Sequence, residues 1–149
     1  MNRVKAAKLY RLVFSLTLAF VILCACSVPS PNPNSSVAPG VDNGLEVVYF
    51  HRTNRCYGCI YAEDGIRYTI ETYFADEVAR GELVFMSIDL QDGNNAAIVN
   101  KYGAYTSQLF MNKVVDGKEQ IEHVTSIWAY LGNDQAFANA VKAEIEERL

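Results

Sequence analysis

Proline is confined to one short stretch of this chain: all four lie between Ser27 and Gly44, and the body that follows has none. Ser, Asn and Gly fill the spaces between them without apolar periodicity, which excludes a packed element there and reads as a flexible, partly extended tether. Acidic residues are missing from the first forty-one positions, which hold Arg3, Lys5, Lys8 and Arg11. The remainder carries nine Lys and Arg against all seventeen Asp and Glu, a formal charge of −8. No basic stripe interrupts that acidity, so nucleic acid is excluded as a partner, because phosphate binding needs clustered cations that release counterions. Also missing are internal repeats and any flavin, nucleotide or haem motif.

What the N-terminus does hold is a targeting pattern: a basic region ending at Arg11, an apolar run from Leu12 to Leu23, then small residues around a cysteine. The run falls short of the roughly 20 apolar residues that span a bilayer. Leu23-Cys24-Ala25-Cys26 resembles the bacterial lipobox, with Leu three before the lipidated Cys and a small residue directly before it. The expectation is a lipoprotein signal peptide over 1–25, a lipidated Cys26 opening a tether over 26–44, and a domain over 45–149. The mature protein is then exported and held by N-terminal lipid at a membrane, facing the periplasm or the cell exterior. Cys24 leaves with the leader, so the mature domain keeps two free thiols, Cys56 and Cys59. The competing readings are an ordinary signal peptide cut nearby and an uncleaved anchor.

A domain of this size buries roughly 65% of its chain surface and needs no disulfide to staple it. Leu45 to Phe50 is a β-branched and aromatic run, predicted as a strand buried on both faces. After the polar loop His51 to Arg55 come the cysteines, and from Cys59 to Ala79 the residues Ile66, Ile70, Phe74 and Val78 recur every four. With Glu63/Arg67, Arg67/Glu71 and Asp76/Arg80 at helical pair spacing, this predicts one long amphipathic helix closed by Gly81. Leu83 to Ile88 is a second strand, Asp92 to Asn95 a turn, and a short helix runs to Tyr102. Gln108 to Val115 and Lys118 to Val124 flank Asp116-Gly117, a hairpin signal. The last helix, from Gln135, is capped by Asn133 or Asp134 and spaces Phe137, Val141, Ile145 and Leu149 four apart. Ile127, Trp128 and Leu131 read as core packing under it, and the acids Glu144, Glu146 and Glu147 as a solvated face.

Two thiols separated by two residues at a helix N-terminus close a disulfide with little movement. The first faces unpaired backbone N–H groups and the positive end of the helix dipole, both of which lower its pKa. Cys56 is therefore the expected nucleophile, with Arg55 as an added cation, and Cys59 the thiol that resolves a mixed disulfide. Tyr57 gives this turn an aromatic rim, and Tyr105 is a candidate neighbour. The alternative is a permanently closed disulfide, but so small a loop restricts the unfolded chain very little.

Strand, helix, strand, helix, hairpin, helix, with Cys-x-x-Cys where the first strand turns into the first helix, resembles a thioredoxin-like domain over nearly all of residues 45–149. The resemblance implies a three-layer α/β/α sandwich around a mixed sheet of about four strands. More narrowly, Tyr49-Phe50-His51-x-Thr53-x-Arg55-Cys56-x-x-Cys59, Tyr73-Phe74-Ala75-Asp76 and Ile127-Trp128 resemble small lipoproteins of the ArsF-type family, described as a nitroreductase subunit. Against the thioredoxin pattern, Phe50 replaces the acid that the family often buries in its first strand, and Arg55 replaces the aromatic residue that commonly precedes the nucleophile. Ser107 or Gln108 stands where the family places a cis-proline facing the cysteines. The resemblance thus implies thiol–disulfide exchange or electron transfer with a protein partner at the membrane surface, without a bound cofactor. The missing proline favours a second class of function, a non-catalytic accessory module in which His51 joins Cys56 and Cys59 around a soft metal ion. His123 reads as a solvated strand residue.

Overall fold

In a computed structural model the structure describes residues 40–149. The expected signal peptide, Cys26 and most of the expected tether lie outside the described residues. Strand β1 (Gly44–His51) is followed by α1 (Tyr57–Tyr73), α2 (Ala75–Ala79), β2 (Leu83–Asp89), a 3-10 turn (Gly93–Asn95) and α3 (Ala96–Tyr102). The hairpin β3 (Gln108–Val115) and β4 (Lys118–Val124), a second 3-10 turn (Ser126–Tyr130) and α4 (Asp134–Glu146) complete the fold.

The sheet runs β2-β1-β3-β4, with β1 parallel to β2 and antiparallel to β3, so β1 lies inside it. That position explains why the strand is apolar apart from Glu46: Leu45, Val47, Val48, Tyr49 and Phe50 are all fully buried. Alternation then divides the strand between two cores. Leu45, Val47 and Tyr49 meet the inward faces of α1 and α4 through Ile66, Ile70, Phe137, Val141 and Ile145. Val48 and Phe50 meet α3 on the other side through Ile98 and Tyr102. Helices on both faces of a four-stranded mixed sheet give the three-layer α/β/α sandwich that the sequence predicts. β1 can start at Gly44 because that residue has φ 143° and a Cβ there would strike the Glu82 carbonyl.

Local chemistry sets the boundaries. Asp116 and Gly117 both take positive φ, 51° and 71°, as the hairpin requires. Asn133 caps α4 by accepting a 3.1 Å hydrogen bond from the Ala136 N–H. The helix predicted from Cys59 to Ala79 differs in two ways. It starts earlier, because Cys56 is its N-cap, and it breaks at Phe74, which leaves the helical region at φ −130°, ψ 23°. The break keeps Phe74 in the core and turns α2 outward, so Val78 is exposed instead of continuing the stripe. Arg67 pairs with Glu63 and not Glu71, and Arg80 with Glu77 and Glu82 and not Asp76. Leu131 and Leu149 are exposed, since one follows the second 3-10 turn and the other follows the end of α4. Glu144 is half-buried, held by Arg148 and Ser126, and so departs from the solvated face expected for it.

Candidate functional site

Cys56 and Cys59 are joined as a disulfide with their Cα atoms 5.1 Å apart. The turn from β1 into α1 makes them unequal. Cys56, in extended conformation at the N-cap, is exposed, and its Sγ accepts from the Cys59 N–H at 3.1 Å. Its carbonyl takes the N–H groups of Cys59 and Ile60 at 3.0 and 3.1 Å. Cys59, one turn in, is half-buried. A donor already aimed at the Cys56 sulfur, together with the helix dipole, stabilises negative charge on that atom once the disulfide opens.

Behind Cys59 lies a polar cluster drawn from four parts of the chain. Ser107 Oγ donates to Cys59 Sγ at 3.4 Å, and Tyr49 Oη donates to the Cys59 carbonyl at 2.9 Å. Arg55 Nη2 donates to the same carbonyl at 3.2 Å and forms an ion pair with Glu63. Glu63 also holds Arg67 at 2.9 Å. Burial pushes the Glu63 carboxyl up, but Ser87, Arg67 and Arg55 together hold it below the usual carboxylate range. Burial pushes the Tyr49 phenol above its ordinary value against the pull of Ser107 and Arg55, so it stays a donor. Arg55 is therefore turned inward, and Glu63 matches its charge beside the disulfide.

The other residues singled out in the sequence have separate positions. Gln108 is buried, and its Oε1 accepts from the N–H groups of Tyr105 and Thr106 at 3.0 and 3.3 Å. It shapes the loop that presents Ser107. Tyr57 is 84% exposed between the cysteines, and Tyr105 is exposed in the Ser107 loop. His51 ends β1 with its Nδ1 3.0 Å from the Arg52 carbonyl, and its ring lies 6.4 Å from that of Tyr49. Among the described residues, no three His, Cys, Asp or Glu side chains converge on a point that would hold an ion. His123 is exposed and stacked on Phe110, with ring centroids 4.9 Å apart. Asp89 was not singled out. At the end of β2 it ties down the loop before the cysteines, accepting from Thr53 Oγ1 at 2.7 Å and from the Gln91 N–H at 2.9 Å. Those two bonds, the Gln91 one first, hold its carboxyl below the usual range.

Of the two residues the resemblance placed opposite the cysteines, Ser107 is the one in contact with the pair, while Tyr49 and Glu63 are the neighbours that sequence reasoning missed. Glu63 alone left a signal, an acid one helical turn after Cys59 and next to the inward stripe of Ala62 and Ile66. The strand order, the helices on both faces and the disulfide at the β1–α1 turn together make this a thioredoxin-like fold. No protein-family model and no curated protein matches the chain at a significant level. Among solved structures the chain is similar to a malarial protein, at 14% identity and TM-score 0.44 over 72% of this chain and 99% of that one. It is also similar to thioredoxin of Fasciola hepatica, at 19% identity and TM-score 0.42 over 72% of this chain and 84% of that one.

Proposed function

We propose that this protein is a lipid-anchored, exported thiol–disulfide exchange or electron-passing protein that acts on a protein partner at the membrane surface through Cys56 and Cys59. One observation carries the reading: an exposed sulfur at a helix N-cap that accepts from a backbone N–H, in disulfide with a half-buried sulfur that accepts from Ser107. In the accepting direction a partner thiolate attacks Cys56 Sγ and the Cys56–Cys59 bond breaks. The electron pair leaves on Cys59 Sγ, where the Ser107 hydroxyl supports the charge until a proton arrives. The partner's second thiolate then attacks its own sulfur in the mixed disulfide and releases Cys56. The partner dithiol becomes a disulfide, and the pair becomes a dithiol; the donating direction is the reverse.

The resemblance to the ArsF-type lipoproteins supports placing this chemistry in a membrane-bound subunit that receives electrons from, or passes them to, another chain. The Leu23-Cys24-Ala25-Cys26 pattern supports lipid attachment at Cys26. Two experiments test the proposal. A Cys59→Ala variant in the native host is expected to accumulate a mixed disulfide through Cys56 with a discrete partner; its absence, with Cys56 reduced and reactive, counts against exchange. Cys26→Ala is expected to release the protein from the membrane or leave an unprocessed precursor, and membrane retention at mature size removes the anchor.

A further inference from the structure

The outer face of α1 carries a groove that begins at the cysteine turn and is left unused by exchange at the sulfurs. It is a cleft of about 480 Å³ between α1 and the start of α4, walled by Tyr57, Tyr61, Tyr68 and Tyr73, with the ring of Phe137 among its lining. Gly65 lets that floor form, because a Cβ there would lie 2.6 Å from Phe137 Cε1. Four tyrosines lie on this one helix, and three of them are exposed, which leaves ring surface open to solvent along the cleft.

The charged residues that line the groove, Asp64 and Asp134, are both acidic. Tyr61 Oη donates to Asp134 Oδ1 at 2.7 Å, which occupies that carboxylate. Asp64 is exposed and, among the described residues, pairs with no cation. Arg67, the nearest guanidinium in sequence, is turned away onto Glu63 and lies over the Phe85 ring at 5.0 Å. At the far end Lys142 Nζ sits 5.7 Å from the Tyr73 ring centroid, so a tyrosine of this groove already receives a cation. Tyrosine faces beside an unpaired carboxylate attract an ammonium or guanidinium group by quadrupole and by charge together.

We infer that this groove docks a cationic segment of the redox partner, seating a Lys or Arg side chain between Asp64 and the tyrosine rings while the partner's cysteine meets Cys56; the inference rests on the exchange reading above. The geometry fixes the spacing. Asp64 lies eight positions after Cys56, about 12 Å along the axis at 1.5 Å per residue. An extended strand covers that in about four residues at roughly 3.3 Å each. The preferred partner therefore carries its basic residue three or four positions from its reactive cysteine.

The test uses the full chain, reduced, with synthetic peptides whose single cysteine carries thionitrobenzoate as a mixed disulfide. The Cys56 thiolate attacks the peptide's sulfur, forming a Cys56–peptide disulfide as the peptide–thionitrobenzoate bond breaks and coloured thionitrobenzoate thiolate leaves. Arg four residues from the cysteine is expected to speed release roughly fivefold to tenfold over Gln at that position, and more than Arg in the adjacent position. Asp64→Asn and Tyr68→Ala should each abolish most of that advantage while leaving reaction with the small symmetrical disulfide of the same thiol unchanged. A second arm needs no sulfur chemistry: the same peptides with Ser for Cys, fluorescently labelled, should bind the oxidised protein in an Asp64-dependent way. Rates and binding indifferent to charge, or a preference that survives both substitutions, overturn the docking. Equal binding of free choline overturns the commitment to a protein segment. If the small disulfide fails to react while the Ser peptide still binds, the exchange reading falls and the groove stands.

Discussion

Cys56 and Cys59 are three residues apart and chemically unlike, because the helix start that exposes one sulfur carries the other under the Ser107 loop. In the reduced protein at neutral pH, Cys56 should be alkylated by iodoacetamide faster than Cys59, and mass mapping of partially modified protein reads the order. Equal or reversed rates would remove Cys56 as the nucleophile. Ser107→Ala deletes one hydrogen bond to the leaving sulfur, a loss of about 1 kcal/mol, so reduction of the disulfide by dithiothreitol should slow roughly fivefold. Glu63 adds a pH signature. Its carboxyl lies lower in the folded protein than in the unfolded chain, so the stability it supplies is present at neutral pH. That stability disappears as pH falls from its unfolded value, about 4.3, through the lower folded one. Glu63→Gln should cost about 2 kcal/mol at pH 7, less than for a fully buried pair because Arg55 keeps some exposure, and the difference should shrink toward pH 3 in urea titrations. The cysteine pair was legible in the sequence because its spacing alone is diagnostic. Arg55 was legible from its place beside the motif and Ser107 from the proline position, but Tyr49 and Glu63 were not, since they join that cluster only after β1 and α1 pack together.

At the scale of elements, patterns with a single physical cause were readable. The hairpin follows from two turn positions that tolerate positive φ, the buried strand from its apolar run, and α4 from its cap and its four-residue stripe. The break at Phe74 was hidden because Val78 continues the apolar spacing, so periodicity could not distinguish one helix from two. Gly65 is a similar case: in sequence it is only a weak point inside a helix, whereas in the structure it admits Phe137. Ala there gains up to about 1 kcal/mol in helix propensity, but pressing a methyl group onto a buried ring costs about 1–3 kcal/mol. Packing should win, and Gly65→Ala should lower the urea midpoint with an unchanged slope; a raised midpoint contradicts this packing.

At the largest scale, the described residues form an acidic three-layer domain whose β1–α1 turn exposes the Cys56 sulfur. On the proposed reading, a basic partner would bring sulfur to that turn, and lipid on Cys26 would set the meeting at a membrane surface. All of this rests on the disulfide being reversible and not a permanent link. The direct test is its reduction potential, measured by equilibrating the full chain in graded dithiol buffers, quenching with acid and counting free thiols by mass. A redox-active pair should titrate between about −120 and −270 mV, the span of exchange proteins. A midpoint below about −300 mV, where structural disulfides lie, would contradict the account.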